Sequence, residues 1–289
     1  MKTLTEYLHE YEERKKAIGH FNVATIEMLW GVINAAKEFS QTVGELVPVV
    51  IGMTENERDV FGVSEAVAII QTLRSEGYPV FLNGDHTYIT DRANEAIAAH
   101  FDMVIIDKAD KSFEENVLET KKVVDFKNTK NSHALVEAEL GFIGAGSSIK
   151  DSMPEGVSEA TMTKPEDAKA FVEQTGIDVL APSVGNVHGL IKTGKPRLHP
   201  ERVRQIKAAV GIPLVLHGGS GSTDDDFRAV IQAGISLIHV STELRVAYRN
   251  ALEHSLATNT ELAPYKYMKE PMEAVKKVAL ERIALFYHG

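Results

Sequence analysis

The sequence contains no cysteine. That excludes disulfides and thiolate metal centres, so any bound metal takes its ligands from His, Asp or Glu. Positive charge is also in deficit: 31 Lys and Arg stand against 41 Asp and Glu, a net charge of −10. This balance argues against a nucleic-acid or anionic-membrane surface but leaves room for a local pocket that holds a small phosphate. No uninterrupted apolar run approaches the ~18 residues of a membrane-spanning helix. The opening segment, MKTLTEYLHEYEERKK, is charged throughout and lacks the apolar centre of a signal peptide. The expectation is a soluble cytoplasmic protein with neither nucleic acid nor membrane as a partner.

What is present is an alternation of short β-branched runs with longer helical periods. Strand-like runs occupy 17–23, 46–51, 80–83, 103–107, 134–139, 179–182, 214–216 and 237–240. They are apolar and mostly non-alternating, as parallel strands buried on both faces are. Helical patterns fill 25–39, 64–76, 89–99, 114–126, 165–175, 200–209, 224–233 and 242–256. Thr163 before Pro165, and Thr223 before three aspartates, read as helix starts. Gly176, Gly211 and Gly234 read as helix ends. Eight strand–helix units with short links predict an α/β fold, a single (β/α)8 TIM barrel domain spanning residues 1–289. An open doubly wound sheet is the alternative, but no GxGxxG follows the first strand. At 289 residues the chain can bury roughly three quarters of its unfolded surface. A trailing helix at 268–286 is expected to pack on the outside of the barrel or on a partner. Residues 141–162 form the longest non-periodic stretch, of the kind that serves as a lid.

Barrel geometry sorts the 11 histidines. Catalytic groups gather where strands end, on the C-terminal face. His100 and His133 precede strands and read as structural; His9, His199, His254 and His288 fall in helices or tails. His20 lies inside the first strand and is ambiguous. His86, His188, His217 and His239 sit at or near strand ends. Three imidazoles at one barrel mouth, with a fourth position open, make a catalytic zinc site. Asp85 beside His86 is either a turn former or a general acid/base. Glu137 and Glu139 share one strand face, where burial demands a partner or a metal.

The stretch LVLHGGSGSTDD follows the seventh strand. Gly218, Gly219, Ser220 and Gly221 there offer bare backbone amides to an oxyanion. Ser241 and Thr242, at the start of the eighth helix, can complete a phosphate cradle.

The segments IGHFNVATIEML, VPVVIGMTE, FLNGDHT, FEENVLETKKVV, VEAELGFIG, KPEDAKAFVEQTGIDVLAPSVGNVHG, IPLVLHGGSG and LIHVSTELR resemble, in order and over nearly the whole chain, the class II fructose-bisphosphate and tagatose-bisphosphate aldolases. The resemblance implies metal ligands at His86, His188 and His217, with Glu139 able to approach the metal. It implies an acid/base at Asp85 and a phosphate site at Gly189, Gly218, Ser220 and Thr242. Thr54 and Arg245 match positions facing the distal phosphate, and Asn22 matches a mouth-facing asparagine. Zinc is the implied metal, with cobalt as the alternative, beside a monovalent cation (Na+ or K+). The implied reaction is reversible cleavage of a ketose 1,6-bisphosphate, fructose 1,6-bisphosphate first and tagatose 1,6-bisphosphate or another phosphorylated ketose as alternatives. A homodimer or homotetramer is the expected assembly.

The chain departs from the family in three places. NGDHT replaces the usual HLDHG, and His239 stands where an asparagine is usual. Ser147 and Ser148 stand where the lid carries acids, so the lid base is expected at Glu155, with Asp151 next. A barrel hydrolase is the rival reading, but GHFNV offers only His20 where a His-x-His pair is wanted. A sugar-phosphate binding protein would not need Asp85 beside a metal. A lysine Schiff base at Lys108, after VIID, lacks visible support.

Overall fold

The computed structural model describes residues 2–144, 146, 148–154, 157–193 and 196–289. Eight parallel strands close into a barrel: β1 (Ile18–Asn22), β2 (Val49–Met53), β3 (Val80–Thr87), β4 (Met103–Ile106), β5 (Leu135–Leu140), β7 (Val179–Pro182), β9 (Leu214–Leu216) and β10 (Ile235–Val240). Around the barrel the order is β1-β10-β9-β7-β5-β4-β3-β2. Two further short strands, β6 (Ile149–Lys150) and β8 (Leu190–Ile191), pair with each other above the barrel. The helices are α1 (Leu4–Glu13), α2 (Ile26–Val43), α3 (Glu55–Phe61), α4 (Val63–Ser75), α5 (Thr90–Ala98), α6 (Phe113–Thr129), α7 (Pro165–Thr175), α8 (Pro200–Val210), α9 (Asp224–Ala233), α10 (Thr242–Thr258), α11 (Pro264–Tyr267) and α12 (Lys269–His288). The expected alternation is thus present, with α7, α9, β7 and β9 at the predicted bounds.

Local signals explain several helix boundaries. Thr223 accepts the amide of Asp226, whose carboxylate reaches back to the Thr223 amide, and so caps α9. Gly176 and Gly211 close α7 and α8 in the left-handed region, at φ 70° and 72°. Thr163 does a different job from the one expected. Lys164 occupies the cap of α7, while the Thr163 hydroxyl bonds the Leu140 carbonyl and the Ser183 amide, tying the ends of β5 and β7.

Three helices were not visible in the sequence pattern: α1, α3 and the four-residue α11. α3 is about two turns long and follows β2, started by a capping box between Thr54 and Glu57. α1 is charged over most of its length, but Leu4, Leu8 and Tyr11 share one face by helical spacing and are buried. They pack on Ile18, Val50, Phe81, Met103, Leu135, Val179, Val215 and Leu237, one residue from each strand. α1 therefore closes the bottom of the barrel. The trailing helix α12 packs on the outside, against α2, α10 and α9.

Because side chains alternate along a strand, every second residue above that apolar floor also faces the barrel axis. Along β1, β3, β5 and β10 these residues are His20, Asn83, Glu137 and His239, and all four are buried. One more step reaches Asn22, Asp85 and Glu139. The interior turns from hydrocarbon to ionisable groups within a single step of two residues.

Leu8→Ala removes the centre of the plug. It should cost about 2–5 kcal/mol, read as a lower urea midpoint with an unchanged slope.

Candidate metal and active site

His86, His188, His217 and Glu139 converge at the C-terminal mouth, each offering a ligand atom within 4.8 Å of the others. β3 brings the first of these by an irregularity. Its pairing with β4 shifts register between Gly84 and Thr87, and His86 takes φ 29°, a region that non-glycine residues rarely adopt. Asp85 and His86, neighbours that would point to opposite sides of a regular strand, both reach the mouth through this kink. β3 accordingly continues to Thr87, beyond the expected end at 83. Backbone strain of this kind is held only where the surroundings enforce it. Below the kink, the fully buried Arg58 donates to the Met53 carbonyl and the Thr87 hydroxyl.

Each imidazole has one nitrogen committed to the protein. His86 Nδ1 lies 2.8 Å from Asp107 Oδ2, His217 Nε2 2.6 Å from Glu137 Oε1, and His188 Nδ1 2.8 Å from the Gly144 carbonyl. All three partners are acceptors, so those nitrogens carry the protons. The lone pairs left over belong to His86 Nε2, His217 Nδ1 and His188 Nε2. The first two face each other at 3.3 Å. Two nitrogens bound to one tetrahedral ion at ~2.0–2.1 Å lie about 3.3–3.4 Å apart. Glu139 Oε2 is 3.8 Å from His217 Nδ1 and is buried with no hydrogen-bond partner among the described residues. Converging lone pairs, an orphaned carboxylate oxygen and a carboxylate or carbonyl behind each imidazole fit a divalent metal.

The electrostatics state the same demand. Burial opposes charge on His86, but Asp85 and then Asp107 outweigh it and push this imidazole up to about 10. His188, buried and next to His86 and His217, is pushed down to about 3. Burial drives Glu139 well above the usual carboxylate range, reinforced by Asp107, and raises Glu137 as well.

Asp85 differs from the two glutamates. Burial would raise it, but His86 and His239 outweigh burial and hold it well below the usual range. Its Oδ2 accepts Asn22 Nδ2 at 2.8 Å, and its Oδ1 lies 3.3 Å from His239 Nδ1. It is an oriented, ionised carboxylate beside the His86 ligand, as a proton acceptor must be. The ambiguous His20 belongs to this layer. Its ring stacks on His239 at 3.5 Å and 5°, and His239 stacks on His217 at 3.9 Å. Asn83 Nδ2 lies 3.1 Å from His20 Nε2. Room for the His20 ring comes from Gly52, where a Cβ would stand 2.0 Å from the imidazole.

The glycine-rich loop after β9 approaches its own chain. Gly218 has φ 59°, and a Cβ there would stand 2.5 Å from the Val187 carbonyl carbon and 2.7 Å from the His188 amide nitrogen. Val187 N–H donates to the Gly218 carbonyl at 3.1 Å. The contact thus sets His188 beside His217. Nearby, Ser220 and Thr242 are buried, and the Ser222 and Ser241 hydroxyls are buried without a partner among the described residues. Ser241 makes no side-chain cap on α10. Gly189 at φ 91° lets the Ser148 carbonyl close in where a Cβ would be.

The remaining expected residues are placed as follows. Thr54 lines the mouth, but its hydroxyl accepts the Glu57 amide as the cap of α3. Arg245 does not stand free for a distal phosphate: its guanidinium is 2.7 Å from Glu57 Oε1. Glu57 Oε2 in turn lies 3.3 Å from Asn22 Nδ2, so Arg245, Glu57, Asn22 and Asp85 form one chain. The lid is pinned through β6 and β8. Asp151 is exposed and pairs with Lys192 at 2.9 Å. Ser147 and Glu155 lie outside the described residues. Lys108 Nζ donates to the Tyr88 carbonyl, engaged away from the ligands. Glu57 and Asp107 are functional neighbours that the sequence did not reveal. Glu57 is hidden in an unforeseen helix, and Asp107 reads as an ordinary strand-end acid until the fold sets it behind His86.

A (β/α)8 barrel with a histidine–carboxylate metal-type centre at its C-terminal mouth is a class of metal-dependent enzyme. The family model for class-II fructose-bisphosphate aldolase matches residues 2–288. A Bacillus subtilis (strain 168) protein named "Probable fructose-bisphosphate aldolase" is 35% identical over 290 residues, covering 98% of this chain and 96% of the relative. The fructose-bisphosphate aldolase of Staphylococcus aureus (strain N315) is 34% identical over 289 residues, with the same coverage of 98% and 96%. The crystal structure of the YdjI aldolase from Escherichia coli K12 superimposes with a TM-score of 0.82 at 32% identity, covering 98% of this chain and 96% of that one. The chain belongs to the class-II fructose-bisphosphate aldolase family.

Asp107→Asn should weaken metal binding by about 10–100-fold, since it removes the carboxylate that orients His86. Gly218→Ala should also lower metal occupancy by displacing His188, while His217 stays in place. Metal content after dialysis against a graded chelator measures both.

Proposed function

We propose that the protein is a zinc-dependent aldolase that reversibly cleaves fructose 1,6-bisphosphate to dihydroxyacetone phosphate and glyceraldehyde 3-phosphate. The observation that carries this reading is the juxtaposition of an ionised Asp85, oriented by Asn22, with the converging lone pairs of His86, His188 and His217. These three histidines, with Glu139, would hold the ion. When bound, zinc or cobalt supplies Lewis acidity toward the ketose carbonyl.

The chain's own residues do the rest. Asp85 takes the C4 hydroxyl proton on cleavage and returns it on condensation. Asn22 fixes the Asp85 carboxylate through Oδ2. The partnerless Ser222 and Ser241 hydroxyls, with Ser220, Thr242 and the amides at Gly189 and Gly218, hold the phosphate of the dihydroxyacetone half. A Na+ or K+ ion beside that phosphate adds positive charge. His239, which touches Asp85, stands where substrate oxygen atoms are bound and remains the described candidate for the second proton transfer; Glu155 is the other.

Residues 1–289 act as one domain in this reading. No described helix is long and apolar enough to cross a membrane, which fits a cytoplasmic enzyme of carbohydrate metabolism. A homodimer or homotetramer would cover Leu256, Leu262 and Tyr265, which are exposed.

Chelation should abolish triose-phosphate release and zinc restore it, while borohydride with substrate traps no adduct on Lys108. A trapped adduct would overturn the metal reading. Asp85→Ala should retain zinc and lose roughly 10²–10⁴-fold in turnover, measured by a coupled assay alongside metal content.

A further inference from the structure

The two ends of the mouth carry opposite character. Around the barrel, β3 and β4 lie four strands from β9 and β10 and therefore face them across the axis. On the β9 and β10 side are the partnerless serine hydroxyls and the glycine loop. Lys150, on β6 where it pairs with β8, directs its Nζ to the His188 carbonyl at 2.8 Å. On the β2 to β5 side is a cleft of about 420 Å³ with His86 and His188 in its wall. Glu55, Asp107, Asp110 and Glu139 border this cleft together with Thr54 and Tyr88. Among its described lining residues there is no lysine or arginine.

The described neighbouring cations do not change this. Lys108 Nζ is engaged by the Tyr88 carbonyl, and Lys111 pairs with Asp110 at 3.1 Å from outside the lining. Arg245, the cation placed to meet a far-end phosphate, is held by Glu57 at 2.7 Å. Glu57 is itself fixed by the Thr54 amide and by Asn22, so it is not a loose surface counter-ion.

We propose that Glu57 is a specificity-determining residue, and that the enzyme also cleaves ketose 1-phosphates whose far end is an uncharged hydroxylated chain. The proposal rests on the aldolase reading above and names a further substrate class for the same site. A phosphate dianion at the far end meets carboxylates and an arginine already neutralised, so it contributes little discrimination. A site that recognises a group through committed donors rejects the analogue lacking it by roughly 10⁴–10⁵-fold. The described side chains that line this far end include no cationic donor, only neutral ones such as Tyr88 and Asn56. An uncharged polyol loses nothing there and can hydrogen-bond to Glu55, Asp110 and Tyr88.

The test compares kcat/KM for fructose 1-phosphate and fructose 1,6-bisphosphate with zinc-loaded protein, following dihydroxyacetone phosphate. The 1-phosphate should be cleaved within tenfold of the bisphosphate or better. A bisphosphate preference above tenfold overturns the proposal and leaves the aldolase reading standing. Release of no triose phosphate from either sugar overturns the aldolase reading and the proposal with it. E57Q supplies the second arm. Glutamine keeps an oxygen for the Thr54 amide and for Asn22 but releases the charge that holds Arg245. It should raise the bisphosphate to monophosphate ratio of kcat/KM by at least fivefold. A general disturbance of Asp85 would lower both substrates together and leave the ratio unchanged, and a smaller change in the ratio would remove Glu57 as the specificity residue.

Discussion

Three carboxylates buried in one barrel, Asp85, Glu137 and Glu139, set the terms for everything around them. An unpaired buried charge costs several kcal/mol even after relaxation, so each must be neutralised, protonated or given a cation. Glu137 is met by His217 and Asp85 by Asn22 and His239. One oxygen on each, Asp85 Oδ1, Glu137 Oε2 and Glu139 Oε2, has no hydrogen-bond partner among the described residues, and that of Glu139 belongs to the carboxylate grouped with His86, His188 and His217. The facing lone pairs of His86 and His217 add a second uncompensated acceptor. A divalent ion among the ligands answers both deficits together. The metal is thus demanded by the interior of the barrel as well as by the chemistry at its mouth.

The strained backbone follows from this. His86 can donate its Nδ1–H to Asp107 behind it and face His217 only if β3 kinks out of register with β4. The kink is stabilised from below, where Arg58 grips Thr87 and Met53. Thr87 and Asn83, two departures from the usual motif of the family, therefore have structural duties. One anchors Arg58 and the other holds the ring of His20.

Where chemistry and folding share a local pattern, the sequence was legible. The β/α alternation, the glycine helix ends and the strand-end histidines all depend on neighbours a few residues away. α1 was missed because its three apolar residues are diluted by charge and find their partners only on the barrel floor. Glu57 was missed because α3 is too short to show a period, and its meaning comes from Arg245, 188 positions away. The reading of the glycine loop was half complete. Close approach is what the glycines allow, and at Gly218 the approaching group is the backbone of Val187 and His188. The lid stretch at 141–162 shows no local period, because what ties it down is a two-stranded ribbon with the segment after β7, where Asp151 pairs with Lys192.

His20 and His239 show how a substitution at one tier of a barrel binds others. A histidine at position 239 presents a wide ring between His217 and β1. That ring is packed on its other face only because position 20 is also a histidine, stacked at 3.5 Å. The His20 ring fits only because position 52 on the next strand is glycine, and its Nε2 meets a polar partner only because position 83 is asparagine. Four residues on four strands are therefore one unit, whose exposed edge is the His239 nitrogen beside Asp85. Stacking fixes the plane of that imidazole, so Asp85 meets it in one orientation. The Asp85 carboxylate is thereby bonded on one side by an amide that belongs to the mouth and faced on the other, at 3.3 Å, by an imidazole column that belongs to the core.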